Sequence, residues 1–270
     1  MADALNADVV VIGAGIAGSL AALKMVKAGV SVLMLDSGPV IKRDEAVELF
    51  RQSPLKGDFT EPYPPKPWAP QPKFQPKDNN YLIQKGPDLY AAQYLRGVGG
   101  TTWHWAGQAF RLLPNDMKIR TLYGVGRDWP ISYEELEPYY TEAEIQMGVS
   151  GDDALDSPRS QPYPLPGIPL PYGFDRISKR IAKLGYILGI GPQARNSIPY
   201  DGRPACCGNN NCMPVCPIDA QYHGGISARK AIEAGVRVIA NAVVYKIEAN
   251  DSGEIVAVHY LDAEKVTHKV

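Results

Sequence analysis

Short apolar runs alternate with helical stretches at the amino-terminal end of the chain. The first run, Asp8–Ile12, is rich in valine, which is typical of a parallel strand buried on both faces. The stretch Ile16–Ala28 predicts a helix, and Gly29 after it suits the left-handed turn that closes many helices. A second apolar run, Ser31–Leu35, ends at Asp36. This order predicts a β-α-β unit.

Further elements are predicted towards the carboxyl end of the chain. A short helix is expected over Ser227–Ala234, and apolar runs then predict three short strands. A turn at Asn250–Gly253 separates the last two strands. The three strands are Val236–Ile239, Ala242–Glu248 and Ile255–Leu261.

A longer helix is predicted after Ser132. Ser132 and Glu135 have the spacing of a capping box, in which each residue satisfies a backbone N–H at the start of the helix. Five residues then fall on one face at helical spacing, and we expect that face to lie in the core. They are Leu136, Tyr139, Tyr140, Ala143 and Met147.

The composition sets mild limits on the number of domains and on the kinds of partner. The chain has 270 residues, enough for one large domain or two small ones. Of its 24 prolines, 14 fall in two stretches, Pro54–Pro76 and Pro158–Pro171. Proline fixes φ and lacks an N–H, so both stretches are expected to be irregular and extended. The 28 basic and 29 acidic residues nearly balance, which argues against nucleic acid or an anionic membrane surface as a partner. No apolar run has the length of a membrane span, and the polar segment Met1–Asp8 predicts no signal peptide.

The loop between the first strand and helix carries the spacing G-x-G-x-x-G. Gly13 permits a tight turn, Gly15 lets the backbone approach a pyrophosphate, and Gly18 allows close packing of helix and strand. Asp36 ends the second strand, where an acidic side chain can accept ribose hydroxyls. Together these features predict a dinucleotide site.

The segment Arg96–Trp105 favours a flavin over a nicotinamide cofactor. A nicotinamide-binding domain would continue with alternating helices and strands, whereas here a proline-rich excursion leads into this glycine-rich stretch. Its backbone beside Thr101 and Thr102 can line a second side of a large cofactor. His104 lies between two tryptophans; a histidine satisfied within the core is the simpler interpretation, and a flavin contact is the alternative that the glycines favour.

All four cysteines lie within residues 206–216, at Cys206, Cys207, Cys212 and Cys216. Disulfides between such close residues would close tiny loops and stabilise little, and the haem motif Cys-x-x-Cys-His is absent from the sequence. Adjacent side chains on an extended backbone point in opposite directions, so Cys206 and Cys207 rarely bind one metal together. Three thiolates and a following proline favour an iron–sulfur cluster, with zinc or unligated thiols as alternatives.

At this point the chain resembles a known family. Four segments carry the resemblance to the glucose–methanol–choline oxidoreductases, and they are similar in particular to the branch of FAD-dependent, membrane-associated bacterial dehydrogenases of glucose, gluconate, sorbitol and fructose. The cysteine motif is the most specific of the four, since ordinary members lack it. The segments are the glycine loop, RGVGGTTWHW (96–105), YGVGRDWPISYEELEPYY (123–140) and RPACCGNNNCMPVCP (203–217).

The resemblance implies a role for each matching position. Gly13, Gly15, Gly18 and Asp36 match the dinucleotide loop and the ribose acid, while a second set matches the segment beside the flavin: Gly99, Gly100, Thr101 and Thr102. His104 matches a histidine that pyranose oxidases join covalently to their flavin, and Val244 matches a position whose backbone meets adenine. The implied cofactors are FAD, with a covalent link through His104 as one form of attachment, and a [3Fe-4S] cluster held by Cys206, Cys212 and Cys216.

The resemblance also implies a fold. We expect an α/β protein: a Rossmann-type FAD-binding domain with proline-rich excursions and an iron–sulfur loop, its C-terminal substrate domain mostly absent. The expected division is 1–150 for the β-α-β unit and flavin-flanking segment, 151–225 for the proline-rich segment and cysteine loop, and 226–270 for the return to the FAD domain. Family members run to about twice this length, as two-domain enzymes do. We therefore expect an N-terminal portion, and no catalytic base is assigned.

The implied function is oxidation of a sugar, sugar-acid or polyol hydroxyl, with electrons passed through the cluster to a cytochrome c or quinone. The implied partners are a small escort subunit that bears an export signal and a multihaem cytochrome c subunit. The expected location is the periplasmic face of the bacterial inner membrane, held there by these partners. Two alternatives stay open: a flavin-dependent sugar oxidase that uses oxygen, and an inactive fragment or electron-transfer module.

Overall fold

The computed structural model describes residues 6–57, 61–71, 85–88, 94–155 and 158–270, so Pro72 and Pro76 of the first proline-rich stretch lie outside the described residues. Its helices are α1 (Ile16–Lys27), α2 (Arg43–Gln52), α3 (Ile119–Tyr123), α4 (Tyr133–Met147), α5 (Tyr172–Ile181) and α6 (Gly224–Glu233). Its strands are β1 (Val9–Ile12), β2 (Val32–Leu35), β3 (Ser150–Gly151), β4 (Leu165–Pro166), β5 (Arg237–Ile239), β6 (Val243–Ala249), β7 (Ile255–Leu261) and β8 (Thr267–Lys269).

The chain divides into two compact units. The first takes in Met1–Trp105, Asn211–Pro217 and His223–Val270, and the second takes in Ala106–Asn210 and Ile218–Tyr222. The expected boundaries at residues 150 and 225 stay a prediction.

The first unit contains the predicted β-α-β element. Its parallel sheet has the order β1-β2-β5, with Val9 opposite Val32 and Leu35 opposite Ile239. Gly29 follows α1 with φ +85°, the left-handed conformation expected of it. The Rossmann-type prediction is confirmed.

Both faces of this sheet are covered. Val32 and Met34 of β2 face one apolar cluster, which includes residues of α1 and α6. Leu33 and Leu35 face the opposite cluster with Tyr260 of β7. Because successive strand residues point to opposite faces, a strand buried on both must be apolar throughout, and all four residues of β2 are buried.

A second sheet in this unit is antiparallel with the order β6-β7-β8. β7 has the predicted bounds, β5 and β6 differ from prediction by one residue at their ends, and β8 was not predicted. The turn before β7 is confirmed, since the Asn250 side chain accepts the backbone N–H groups of Ser252 and Glu254. α6 begins three residues before the predicted Ser227, at Gly224.

The second unit contains α3, α4 and α5, and the predicted capping box at the start of α4 is confirmed. Ser132 Oγ accepts the Glu135 N–H at 3.2 Å, and Glu135 Oε2 accepts the Ser132 N–H at 2.8 Å. The predicted buried face is partly wrong, because Tyr139 is 63% exposed. The helix instead buries Tyr133 and Glu144.

Glu144 is buried because it belongs to an ionic network. Arg111 reaches it through Nε and Nη2, at 2.7 Å and 2.8 Å from the two carboxylate oxygens, and its Nη1 donates to Glu137 at 2.8 Å. Arg159 Nη2 also donates to Glu144, at 2.5 Å. The Arg111 side chain is only 1% exposed, so this network takes the place of an apolar contact.

The helix α5 in this unit has an exposed apolar stripe. None of its residues is buried, although Phe174, Ile177 and Ile181 recur on one face and Arg176, Lys179 and Arg180 lie on the other. In the described ranges, no helix is long and apolar enough to cross a membrane.

Candidate cofactor site

The glycine loop joins β1 to α1 through a tight turn. The Gly13 N–H donates to the Leu35 carbonyl at 2.7 Å, and Gly13 has φ +100°. A Cβ on Gly18 would lie 2.0 Å from the Gly13 carbonyl oxygen, so only glycine allows the helix to pack this closely. Gly15 is the N-cap of α1 and offers no side-chain hydrogen bond to it. The first-turn N–H groups are therefore available to an anion, as a pyrophosphate requires.

Asp36 lies beside this loop and is 6% exposed. Its two oxygens accept the backbone N–H groups of Ala14 and Gly38, at 2.8 Å and 2.9 Å. Burial raises the pKa of this carboxyl, against the lowering effect of the two backbone hydrogen bonds and of Arg96. A carboxylate has about four acceptor positions, so the two bonds leave capacity for the hydroxyls of a ribose.

The segment Gly99–Trp103 forms another wall of the site. The Gly99 N–H donates to the Ala14 carbonyl at 2.8 Å, which holds this segment against the glycine loop. Thr102 Oγ1 donates to the Gly99 carbonyl at 2.6 Å and accepts the Gly224 N–H at 2.7 Å. Thr102 therefore ties the turn to the start of α6.

These segments line a cavity of about 420 Å³ that is open to solvent. The structure brings eight predicted site residues together around it: Gly13, Gly15, Gly18, Asp36, Gly99, Gly100, Thr101 and Thr102. It also adds Ser37, Leu95, Arg96 and Gly97, which the sequence analysis did not assign to the cofactor. The sequence signal for these four residues was their adjacency to the predicted ones. Arg96 also places a positive charge in the cavity wall.

Two predicted cofactor residues do not line this cavity. His104 is 5% exposed, and its ring meets the Tyr63 ring edge-on with centroids 6.0 Å apart. Val244 pairs with Tyr260 between β6 and β7 and packs against the cluster of Leu33 and Leu35. Their roles toward the cofactor stay predictions.

The cysteine segment is shared between the two units. Cys206 and Cys207 belong to the second, while Cys212 and Cys216 belong to the first. None of the four is in a disulfide. Within the described ranges, no group of three or more histidine, cysteine or carboxylate side chains is placed to hold a metal ion. The structure thus leaves the cluster a prediction.

The chemistry around Cys206 nevertheless fits an anionic sulfur centre. Its Sγ accepts the Gly208 N–H at 3.4 Å, an interaction that stabilises thiolates, whereas Cys207 is exposed. Arg203, three residues away, is 4% exposed. Its Nε and Nη1 atoms are buried with no hydrogen-bond partner in the part of the chain that is described. The attraction of Asp201 and Asp219 compensates part of its charge, and its guanidinium carbon lies 5.7 Å from the centroid of the Tyr222 ring.

Comparison with known proteins supports the dinucleotide-binding fold of the β-α-β unit. The family model described as "Glucose inhibited division protein A" matches residues 8–55, which include β1, α1 and β2. The fructose dehydrogenase large subunit of Gluconobacter japonicus is 50% identical over 99% of this chain and 51% of its own length. The 6'''-hydroxyparomomycin C oxidase of Streptomyces lividus is 29% identical over 95% of the chain and 45% of its own.

A GMC-type oxidoreductase of Mycobacterium tuberculosis is 26% identical over 90% of the chain and 32% of its own length. The chain belongs to the glucose–methanol–choline (GMC) oxidoreductases. It has the Rossmann-type FAD-binding fold of the GMC family. The chain spans about half the length of these first two relatives.

Solved structures agree on the fold. A formate oxidase from Aspergillus oryzae matches with a TM-score of 0.53 and 14% identity, over 97% of this chain and 43% of the other. At this identity the likeness concerns the fold alone. The glycine loop, the uncapped start of α1 and Asp36 fit the diphosphate and ribose of the dinucleotide that a GMC fold binds.

Proposed function

We propose that this chain is the FAD-binding part of a dehydrogenase that oxidises a hydroxyl of a sugar, sugar acid or polyol. The proposed acceptor is a cytochrome c or a quinone rather than oxygen. The cofactor cavity carries the proposal, supported by the 50% identity to a fructose dehydrogenase large subunit. Glucose, gluconate and sorbitol stay candidate substrates, and this relative adds fructose.

The residues of the cavity have separate tasks in this proposal. FAD, when bound, supplies the hydride-accepting ring, while the protein supplies orientation and electrostatics. The α1 N–H groups and Arg96 would hold the diphosphate, and Asp36 would accept hydrogen bonds from the ribose. Thr102 keeps the Gly99–Trp103 turn in place over the cavity.

Turnover with different acceptors tests the proposal. Because the substrate domain is expected to lie mostly outside this chain, the assay uses the complete dehydrogenase. It is mixed with fructose, glucose, gluconate or sorbitol and assayed both with a dye acceptor and for hydrogen peroxide in air. We expect dye reduction without peroxide, and a Gly15→Val control that loses FAD and dye reduction together. Peroxide at the rate of dye reduction would favour the oxidase alternative. Bound FAD without turnover on any of these substrates would favour the electron-transfer module.

We propose further that FAD is attached covalently through His104. Denatured protein should then keep its yellow colour through acid precipitation, and the proteolytic peptide that contains His104 should carry the added mass. His104→Ala should release its flavin on denaturation while still binding it when folded. Complete release from the wild-type protein would refute the covalent bond without affecting FAD binding.

A [3Fe-4S] cluster at Cys206, Cys212 and Cys216 is the second proposed cofactor. Such a cluster accepts one electron at a time, which suits transfer from a two-electron cofactor to a haem. Anaerobically purified protein should contain iron and inorganic sulfide and show the EPR signal of an oxidised three-iron centre. Cys212→Ser and Cys216→Ser should each abolish the signal, and Cys207→Ser is the matched control that should keep it. One equivalent of zinc without sulfide would overturn this proposal.

The proposed partners are a small escort subunit with an export signal and a multihaem cytochrome c subunit. The fructose dehydrogenase relative is itself named a large subunit, which supports assembly into a multi-subunit enzyme. The proposed location is the periplasmic face of the bacterial inner membrane. Deleting the small subunit should leave the protein in the cytoplasm; active protein on the periplasmic side without any partner would contradict this.

A further inference from the structure

Helix α5 separates apolar and basic side chains onto opposite faces. Phe174, Ile177 and Ile181 recur at intervals of three and four residues, so they lie along one side of the helix. Phe174 and Ile177 are 56% and 49% exposed, and no residue of α5 is buried. An apolar helix face normally packs against a core. Among the described residues, the apolar face of α5 has no core against it.

The chain beyond α5 extends this apolar surface. Leu184 lies in the turn that follows the helix and is 74% exposed. Ser178 Oγ donates to the Leu188 carbonyl at 3.0 Å, which holds the returning chain against the helix. Two residues of this return are exposed as well. We call the whole the α5 surface, and its exposed apolar members are Phe174, Ile177, Leu184, Tyr186 and Ile187.

The same part of the chain carries a local positive charge. Its basic residues are Arg176, Lys179, Arg180 and Lys183, against one carboxylate, that of Asp175, which pairs with Lys179 at 2.6 Å. The whole chain is nearly neutral, but α4 holds five glutamates and no lysine or arginine. The overall balance, which argues against an anionic surface as a partner, therefore hides a separation of charge between helices.

The apolar and basic faces together restrict what the α5 surface fits. Large exposed apolar patches mark contacts with proteins or membranes. A face with Phe and Ile, opposite a face rich in Lys and Arg, is typical of helices that lie in the headgroup region of a bilayer. The basic side chains add affinity where the lipids are anionic. A protein that covered only the apolar face would leave the basic face unexplained.

We propose that the α5 surface binds an anionic phospholipid bilayer, with its apolar side chains among the headgroups and its basic side chains near the phosphates. A helix of ten residues is about 15 Å long, so the contact is shallow and reversible. It adds to the attachment through partner subunits and does not depend on the substrate, the acceptor or the cluster of the proposed function.

Flotation of the complete dehydrogenase with lipid vesicles tests this. Vesicles of equal parts phosphatidylglycerol and phosphatidylcholine should carry far more protein than vesicles of phosphatidylcholine alone, and raising the salt should weaken binding. Arg180→Gln with Lys183→Gln should weaken binding to the anionic vesicles by roughly twentyfold. The matched control is Lys42→Gln with Arg51→Gln, which removes two exposed cations from α2 and should bind like wild type.

Hydrogen exchange locates the contact on the chain. Anionic vesicles should slow exchange in the peptide that covers residues 172–188 and leave α2 unchanged. Phe174→Asp with Ile177→Asp should abolish both this protection and flotation; if this variant does not fold, the cation variant and the salt series still decide. Dye-coupled turnover in solution should stay unchanged in every folded variant, which keeps this test separate from that of the proposed function.

Three outcomes would overturn the inference. The first is equal binding to the two kinds of vesicle, and the second is wild-type binding by Arg180→Gln with Lys183→Gln. The third is slow exchange of residues 172–188 without vesicles, which would show that protein already covers the α5 surface. If that protection grew with protein concentration, the cover would be a second copy of the chain.

Discussion

Gly15 and Gly18 of the dinucleotide loop are constrained for different physical reasons. A Cβ on Gly18 would overlap the Gly13 carbonyl, whereas a Cβ on Gly15 would meet no atom within 4 Å. Gly15 also has φ −73°, which any residue adopts. Gly18 is therefore needed by the protein itself, and Gly15 is needed only for the approach of a ligand.

Alanine at each position separates these two roles. Gly18→Ala should lower the melting temperature of the protein, because the helix must move away from the loop. Gly15→Ala should melt like wild type in the absence of FAD and yet bind FAD several-fold more weakly. Differential scanning fluorimetry and flavin titration measure the two effects, and equal melting temperatures for both variants would contradict the assignment.

At this scale the sequence was most informative where a residue type is required by backbone geometry. The glycine spacing and Asp36 could be predicted because a tight turn, a close approach and an acidic strand end each leave a local signal. Arg96 and Gly38 could not be, since their positions depend on a contact across the fold: a Cβ on Gly38 would lie 2.1 Å from the Arg96 carbonyl oxygen.

Helix α4 shows where helical periodicity fails to predict which residues are buried. The apolar spacing of α4 predicted a buried Tyr139, but Arg111 and Arg159 approach the helix from other segments and turn Glu144 inward. From sequence alone, a charged residue on a helix is predicted to be exposed unless its ionic partner is known. The partners of Glu144 are distant in sequence. The capping box could be predicted because both of its residues lie within one turn.

Removing Arg111 should lower the free energy of unfolding far more than removing an exposed cation does. Arg111→Met leaves the buried carboxylate of Glu144 without its bidentate partner, and loss of one member of a buried pair typically costs about 3–5 kcal/mol. Lys179→Met, which breaks an exposed pair with Asp175, should change stability by less than about 1 kcal/mol. Urea unfolding measures both, and similar losses would show that the network adds little.

Acid should weaken the same network. The hydrogen bond from Arg111 lowers the pKa of Glu137 to about 2, from an ordinary value of 4.5. A lowered carboxyl pKa adds stability that is fully present above 4.5 and is lost as the pH falls towards 2. Between those values, the melting temperature of wild type should fall more steeply than that of Glu137→Gln. Parallel curves would mean that Glu137 is not linked to folding.

The whole molecule exposes apolar side chains unevenly. Tyr172 and Phe174 are 77% and 56% exposed, and Leu184 beyond the end of α5 is 74% exposed. Large contiguous apolar patches are uncommon on soluble monomers. Composition could not indicate this, because the 45% of hydrophobic residues says nothing about which of them the fold covers.

A dye that fluoresces on apolar surfaces should report this stripe. The double variant Phe174→Asp with Ile177→Asp should bind less anilinonaphthalene sulfonate than wild type at an unchanged melting temperature. Leu55→Asp, which replaces an apolar residue of similar exposure outside α5, should bind as much dye as wild type. Undiminished binding by the double variant would place the apolar surface elsewhere.

The fluorescence of Trp103 can report whether the cofactor site is occupied. Its indole is 6% exposed, donates to the Val98 carbonyl at 2.8 Å and stacks on His223 with ring centroids 3.7 Å apart. It directly follows Thr102 of the cavity wall, so a flavin bound there would lie within range of energy transfer from its excited state. The emission of this buried indole should be blue-shifted relative to that of Trp129, which is 52% exposed. Loss of the blue component on adding FAD would therefore report occupancy of the site without any label.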